Sequence, residues 1–165
     1  MFKRFPEANQ TLAGLGVLDD DAMAIDTSSE QDLRIRVPAT SLVAFLRWYE
    51  SGKQREVETW REFYEEMLRP GLVPAEIFPH LMMRHLRQHR TPIRWSDHFQ
   101  CWELLLAEIV EPILTPEQRD ALEETKSVSG DHLLWAGEAL IRSTGYDKTR
   151  HERVAKISET SCWIL

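Results

Sequence analysis

The stretch from Pro79 to Trp102 concentrates the side chains that perform acid–base and ligand chemistry. It holds four of the six histidines and four arginines, and no acidic side chain precedes Asp97 within it. These residues are His80, His85, His89, His98, Arg84, Arg87, Arg90 and Arg94. Because the chain carries a net charge of −7, this stretch is a local positive region and the first candidate for a charged site.

Two of these histidines have a spacing that suits a metal ion. His85 and His89 are four residues apart, so on a helix they would share one face, and His98 would supply a third ligand from the next element. The chain has no HExxH motif. His85 also lies beside Phe78 and Met82 on an apolar stripe, where a hydrogen-bonded core histidine is the alternative. No resident cofactor is expected, and a metal held by these histidines is the minority hypothesis.

The arginines of the same stretch indicate a different ligand. Guanidinium groups next to an aromatic ring hold phosphate, carboxylate or a stacked base. The candidate residues for a ligand or a partner are Arg84, Arg87, Arg90, Arg94 and Trp95. The opposite interpretation is that the acidic stretch that follows, residues 103–124, neutralises these arginines within the fold.

Motifs of nucleophilic catalysis and of nucleotide binding are missing from the sequence. There is no G-x-S-x-G, no P-loop and no G-x-G-x-x-G. Cys101 follows His98 by three residues, a pair that activates a thiolate in some enzymes but more often reflects packing. We therefore favour a protein without catalysis.

The last four residues, Cys162 to Leu165, have the form of a prenylation box. Lipidation of Cys162 would attach the chain to a membrane, and the alternative is an apolar tail docked on the fold. No window approaches 18 consecutive apolar residues. With two cysteines and no CxxC pair, a reducing compartment is favoured, and we predict a cytoplasmic protein.

The composition bears on the kind of partner. An isoelectric point of about 5.4 argues against bulk nucleic-acid binding, because the average field repels phosphate. Six tryptophans are a high count for 165 residues, and tryptophan is enriched at protein interfaces. Acidic side chains cluster in residues 19–32 and 103–124. These features favour another protein, preferably a basic one, as the partner.

Hydrophobic periodicity predicts the elements that position these residues. Leu33 to Val37 alternates apolar and charged residues and is predicted as a strand, with Met23 to Ile25 as its hairpin partner. Helices are then predicted from Thr40 to Gly52, over 54–69, from Pro74 to Arg90, from Ser96 to Ile113, from Thr115 to Lys126, from Asp131 to Gly145 and from Asp147 to Ile157. On the second helix, Arg61 and Glu65 are expected to pair at i,i+4 spacing.

The fold class that follows is all-α, a single-domain bundle of six to seven helices with a small N-terminal β-hairpin or strand. The predicted parts are an N-terminal segment (1–38), the bundle (39–160) and an apolar tail (161–165). The predicted function is a non-catalytic protein-binding module of the inhibitor, immunity or regulatory-adaptor type. The alternative is an anionic-ligand or metal site, with or without enzymatic activity, in residues 84–98.

Overall fold

A computed structural model describes residues 1–20, 30–127 and 133–165. The chain divides into two compact units, Met1–Glu66 and Met67–Leu165. Both units combine helices with short antiparallel strands, so the protein is mixed α/β and the predicted all-α bundle is wrong. The boundaries predicted after residues 38 and 160 stay predictions.

In residues 1–20 and 30–66, the first unit has three short α-helices and a two-stranded sheet. These helices are α1 (Ala8–Gly14), α2 (Leu42–Glu50) and α3 (Trp60–Phe63). The strands β1 (Leu18–Asp19) and β2 (Ile35–Arg36) pair antiparallel. A 3-10 turn, Ala39–Ser41, precedes α2, and a π-helical turn, Tyr64–Leu68, follows α3.

Apolar spacing on α1 and α2 builds the core of this unit. Ala8 and Leu12 lie four residues apart on α1 and are both buried, and Phe45 and Tyr49 repeat that spacing on α2. Arg55 is buried as well, with its guanidinium carbon 3.9 Å from the centroid of the Tyr49 ring. The core of the first unit therefore includes a permanently charged side chain.

The predictions for the first unit are met in part. The helix predicted from Thr40 is present, and Gly52 follows its end with φ of +66°. The strand predicted at Leu33–Val37 is shorter and pairs with Leu18–Asp19. Its predicted partner, Met23–Ile25, lies outside the described residues. The predicted helix over 54–69 is confined to Trp60–Leu68.

The described residues of the second unit form six strands and two α-helices. The strands are β3 (Met82–Arg90), β4 (Arg94–Ser96), β5 (Cys101–Glu103), β6 (Leu106–Ile113), β7 (Tyr146–Asp147) and β8 (Glu152–Arg153). The helices are α4 (Pro116–Glu124) and α5 (Glu138–Arg142), with 3-10 turns at Thr125–Ser127 and Glu159–Ile164. The strands pair antiparallel as β3–β6, β4–β5 and β7–β8.

The helices predicted from Pro74 to Arg90 and from Ser96 to Ile113 are wrong, because these segments form β3 and the strands β4 to β6. Their stability comes from pairing across the sheet, which places Arg84 opposite Glu111 and Gln88 opposite Glu108. A bulge between His85 and Arg87 interrupts the register. The helix predicted from Asp147 is wrong too, since β7 and β8 occupy part of that range.

Helix α4 forms as the sequence predicts. Thr115 caps it, with its hydroxyl accepting from the Gln118 amide nitrogen, and the Gln118 side chain accepts from the Thr115 amide in return. The buried Gln118 side chain also donates to the carbonyls of Ile77 and His80 at 3.2 and 3.1 Å. This amide therefore fixes the segment that leads into β3.

Of the predicted sixth helix, the structure shows Glu138–Arg142. Its predicted cap, Asp131, lies outside the described residues. None of the helices in the described part of the chain has the length and apolar character needed to cross a bilayer.

Candidate functional site

Arg61 lies at the centre of a cluster of carboxylates in the first unit. Its guanidinium donates two hydrogen bonds to the Glu56 carboxylate, from Nε to Oε1 at 3.0 Å and from Nη2 to Oε2 at 2.9 Å. Nη2 also donates to Glu62 Oε1 at 2.8 Å, and Nη1 donates to Glu65 Oε2 at 2.7 Å. We call Arg61, Glu56, Glu62 and Glu65 the Arg61 cluster.

The backbone changes from α to π geometry within this cluster. Arg61 and Glu62 stand on α3, whereas Glu65 stands on the π-helical turn with Glu66 next to it. Glu56 comes from the segment that precedes α3. Short π-helical insertions in helices occur frequently at functional sites, because they change the direction in which side chains leave the helix.

The contacts of the cluster shift the pKa values of Arg61 and Glu62. The hydrogen bond to Glu56 raises the pKa of Arg61, although burial opposes this. Burial raises the pKa of the Glu62 carboxyl, but the hydrogen bonds and positive charges of the Met1 amine and Arg61 outweigh it, so that this pKa is lowered. Glu62 is therefore ionised at neutral pH.

Part of the acidic surface in this region is not used by Arg61. The bonds from Arg61 engage one oxygen each of Glu62 and Glu65. Within the described part of the chain, the other oxygen of each, and both oxygens of Glu66, make no hydrogen bond. The Glu65 side chain is 42% exposed and Glu66 is exposed, so the oxygens of these two residues that make no hydrogen bond face solvent.

Most of the residues singled out in the sequence lie on the β3–β6 and β4–β5 pairs of the second unit. Several of them contact acidic side chains of the neighbouring strand. Arg84 pairs with Glu111, His85 Nε2 lies 2.8 Å from Glu108 Oε2, and Arg94 lies 3.5 Å from Glu103. The acidic stretch that follows the positive region thus neutralises part of it within the fold.

The remaining residues of that region contact aromatic rings or the main chain. Arg87 donates to the Trp163 carbonyl at 2.6 Å, and the His89 ring stacks on the Trp163 indole with centroids 4.4 Å apart. The Trp95 indole meets the Trp102 indole edge to face across β4 and β5. Arg90 ends β3. The ligand-binding roles of these residues stay predictions.

The histidines predicted to hold a metal do not share one place. His85 contacts Glu108, His89 stacks on an indole, and His98 lies against the Phe99 ring. The described residues contain no group of three or more His, Cys, Asp or Glu side chains that could hold a metal ion. The prediction assumed a helix, in which residues four apart are neighbours, whereas this segment is a strand, in which four residues span about 13 Å.

The C-terminal cysteine is docked on the second unit. Cys162 lies in the 3-10 turn Glu159–Ile164, and its thiol contacts the Ile141 carbonyl at 3.5 Å. Cys101 is an exposed free thiol on β5. Lipidation of Cys162 stays a prediction, and the contacts of Trp163 show a tail that packs on the fold.

Sequence reasoning missed the Arg61 cluster as a site. It identified the pair of Arg61 with Glu65, which the structure contains, but treated it as support for an exposed helix face. The signal available in the sequence is the number of glutamates close to one arginine. Five glutamates occur between residues 56 and 66, at positions 56, 58, 62, 65 and 66.

Comparison with known proteins identifies the family. A family model described as the SMODS-associated NUDIX domain matches residues 1–165. Searches of curated proteins and of solved structures find no match. The NUDIX match conflicts with the predicted non-catalytic inhibitor, immunity or adaptor module, and with its description as a regulatory helical bundle, so these predictions are wrong. The alternative of an anionic-ligand or metal site in residues 84–98 is not supported either. The chain belongs to the family of SMODS-associated NUDIX domains.

Proposed function

We propose that this chain is a NUDIX-type hydrolase that cleaves a phosphoanhydride bond, with its reacting groups at Glu62, Glu65 and Glu66. Membership of a NUDIX family supports the reaction class. The single observation that carries the location is the convergence of three glutamates on Arg61 where α3 becomes π-helical. Water is the second substrate in hydrolysis, so the site must provide a group that accepts its proton.

The donor chemistry of this region fits a hard divalent cation. Carboxylate oxygens are the ligands that Mg²⁺ takes, and Mg²⁺ is usually bound by one or two carboxylates together with substrate phosphates. Glu65 and Glu66 would hold the cation, since they retain exposed oxygens. When bound, a cation of this kind neutralises phosphate oxygens and so lowers the cost of charge in the transition state.

The residues of the chain prepare the site in two ways. Arg61 holds three carboxylates in fixed positions, because its planar fork bonds to Glu56 through two oxygens and to Glu62 and Glu65 through one each. Together with the Met1 amine it lowers the pKa of Glu62 and so keeps that carboxyl ionised, and an oxygen of Glu62 can then accept a proton from water. We propose the cytoplasm as the location, since Cys101 and Cys162 are both free thiols.

The test is hydrolysis by the purified chain of a panel of phosphoanhydrides: nucleoside triphosphates, a dinucleoside tetraphosphate and inorganic pyrophosphate. Each is assayed with Mg²⁺, with Mn²⁺ and with a chelator, and released phosphate or pyrophosphate is measured. We expect cation-dependent release, and a loss of roughly 100-fold or more in kcat for Glu65→Gln and Glu66→Gln.

The matched control is Glu7→Gln, since Glu7 is an exposed glutamate of the same unit outside the cluster. This variant should retain full activity, and the thermal unfolding midpoints of all variants show whether they are folded. If turnover is unchanged in both Glu65→Gln and Glu66→Gln, the proposed location of the active site is wrong. If neither phosphate nor pyrophosphate is released from any of these compounds, the proposed hydrolysis is wrong.

A further inference from the structure

A groove of about 700 Å³ lies in the second unit, and none of its lining residues belongs to the Arg61 cluster. Its floor is Ile141 of α5, which is buried. Its walls include Leu134, Val154 and Ile164, whose exposed fractions are 49%, 39% and 58%. Exposed aliphatic side chains that gather around one concavity indicate a surface that gains free energy when it is covered.

The groove has one charged side chain in its lining. Lys156 is exposed and makes no ion pair with any described residue, and Ser161 adds a hydroxyl close to it in sequence. The volume falls within the range of small-molecule sites, roughly 300 to 1,000 Å³. A lining that joins aliphatic side chains to one cation and to the hydroxyls of Ser158 and Ser161 matches a ligand with a hydrocarbon chain and one anionic end.

We propose that this groove binds a free single-chain fatty carboxylate, with the chain along Leu134, Val154 and Ile164 and the carboxylate at Lys156. The net charge of −7 of the protein opposes anionic bilayers and polyanions, whose many charges would meet the whole acidic surface. A monomeric ligand with one negative charge responds mainly to charges within about one Debye length, and Lys156 is the charged side chain in the lining. This inference is independent of the proposed hydrolase function.

The experiment is isothermal titration of the full chain with laurate below its micellar concentration. Decanoate extends the comparison to chain length, and dodecanol and dodecylammonium test the head group. We expect saturable binding of laurate, roughly tenfold weaker binding of decanoate because two methylenes are lost, and weaker binding of both other head groups.

Variants then test each part of the groove. Lys156→Gln should weaken the binding of laurate about tenfold and leave the binding of dodecanol unchanged. Leu134→Glu should weaken the binding of both ligands, because it places a charge in the wall of the groove. The control is Lys148→Gln, at an exposed lysine outside the groove, which should change neither. Both altered positions are exposed, so folding is preserved and is checked by circular dichroism.

The proposal is overturned if laurate shows no saturable binding, or if dodecylammonium binds as tightly as laurate. It is equally overturned if Lys156→Gln and Leu134→Glu both bind laurate like the unaltered chain. Phosphoanhydride hydrolysis by these same variants is expected to be unchanged, so a failed titration leaves the hydrolase proposal standing.

Discussion

Gly145 and Ala155 approach each other so closely that a Cβ atom on Gly145 would lie 2.0 Å from the Ala155 carbonyl oxygen. Gly145 has φ of +91°, and its carbonyl accepts hydrogen bonds from the amides of Val154 and Ala155. The glycine therefore fixes the start of the β7–β8 pair in two ways. It adopts a backbone conformation that side chains disfavour, and it leaves room for the returning segment.

Replacing this glycine should destabilise the second unit. Gly145→Ala introduces the steric overlap with backbone and the cost of positive φ, so we expect a loss of about 2 kcal/mol or more in unfolding free energy. Urea denaturation followed by circular dichroism measures it. The control is Gly137→Ala, where φ is −80° and no atom lies within 4 Å of the added carbon. That variant should lose no more than about 1 kcal/mol, because Gly137 is the N-cap of α5 and alanine caps a helix less well than glycine, and equal losses in both variants would contradict the argument.

Gln118 offers a second test, because its amide group joins α4 to the segment before β3. Gln118→Glu replaces the nitrogen that donates to the Ile77 and His80 carbonyls by an acceptor oxygen. At neutral pH a buried carboxylate would then face two carbonyls, and we expect a loss of about 2 to 4 kcal/mol in unfolding free energy.

The loss at Gln118→Glu should shrink as the pH falls, since a protonated carboxyl donates one hydrogen bond again. Chemical denaturation at pH 7 and pH 4 measures the difference. The control is Glu117→Gln, at the exposed neighbouring position, which should leave the unfolding free energy unchanged at both pH values. A destabilisation of Gln118→Glu that is the same at both pH values would show that the lost donor is not its cause.

The Glu62 carboxyl should contribute stability that depends on pH. Its folded pKa is lowered from the ordinary value of 4.5, so the contribution is fully present above that value and is lost as the pH falls through the folded pKa. Glu62→Gln should thus have a lower melting temperature than the parent at pH 6 to 7, and the gap should close in acid. Melting curves between pH 2.5 and 7 measure this, with Glu7→Gln as the exposed control. A gap that is constant over this range would rule out the ionised pair as its source.

Local signals in the sequence predicted α4. The β3–β6 pair of the second unit instead depends on contacts between residues that are far apart in the sequence, and no local pattern indicates them. Thr115 and Gln118 are three residues apart, and the capping box that they form is readable as a pattern. Arg84 and Glu111 are 27 residues apart, and their pairing depends on which strands meet. Apolar residues in residues 77–86 also match the period of a helix, so periodicity alone favoured the wrong element.

The Arg61 cluster shows the same division between local and distant contacts. The pair of Arg61 with Glu65 follows from helical spacing and is present. Glu56 precedes the helix, so no period relates it to Arg61, and its two-oxygen contact appears only when the chain turns into α3. The sequence therefore indicated one ion pair of the site, Arg61 with Glu65, but not the contact of Arg61 with Glu56.

Arg55 provides the last prediction, because it is a charged side chain that is only 5% exposed. Its Nε donates to the Tyr49 carbonyl at 2.7 Å and Nη1 donates to the Glu56 carbonyl at 2.8 Å, while the Tyr49 ring covers the guanidinium. Lysine keeps the charge but has one nitrogen, which cannot reach both carbonyls with the geometry of the fork. We expect Arg55→Lys to lower the unfolding free energy by about 2 to 4 kcal/mol.

The control for this substitution is Arg47→Lys, at an exposed arginine of α2 in the same unit. It should change the unfolding free energy by no more than about 0.5 kcal/mol. Arg55→Met separates charge from geometry, because it removes the charge and both hydrogen bonds while keeping an unbranched side chain. It should leave the Glu56 carbonyl without the Arg55 donor and the Tyr49 carbonyl with the Gly52 amide as its donor, and be at least as destabilising as lysine. If lysine matched the parent in urea denaturation, the ammonium charge alone would account for the role of Arg55, and the two-carbonyl contact would contribute little.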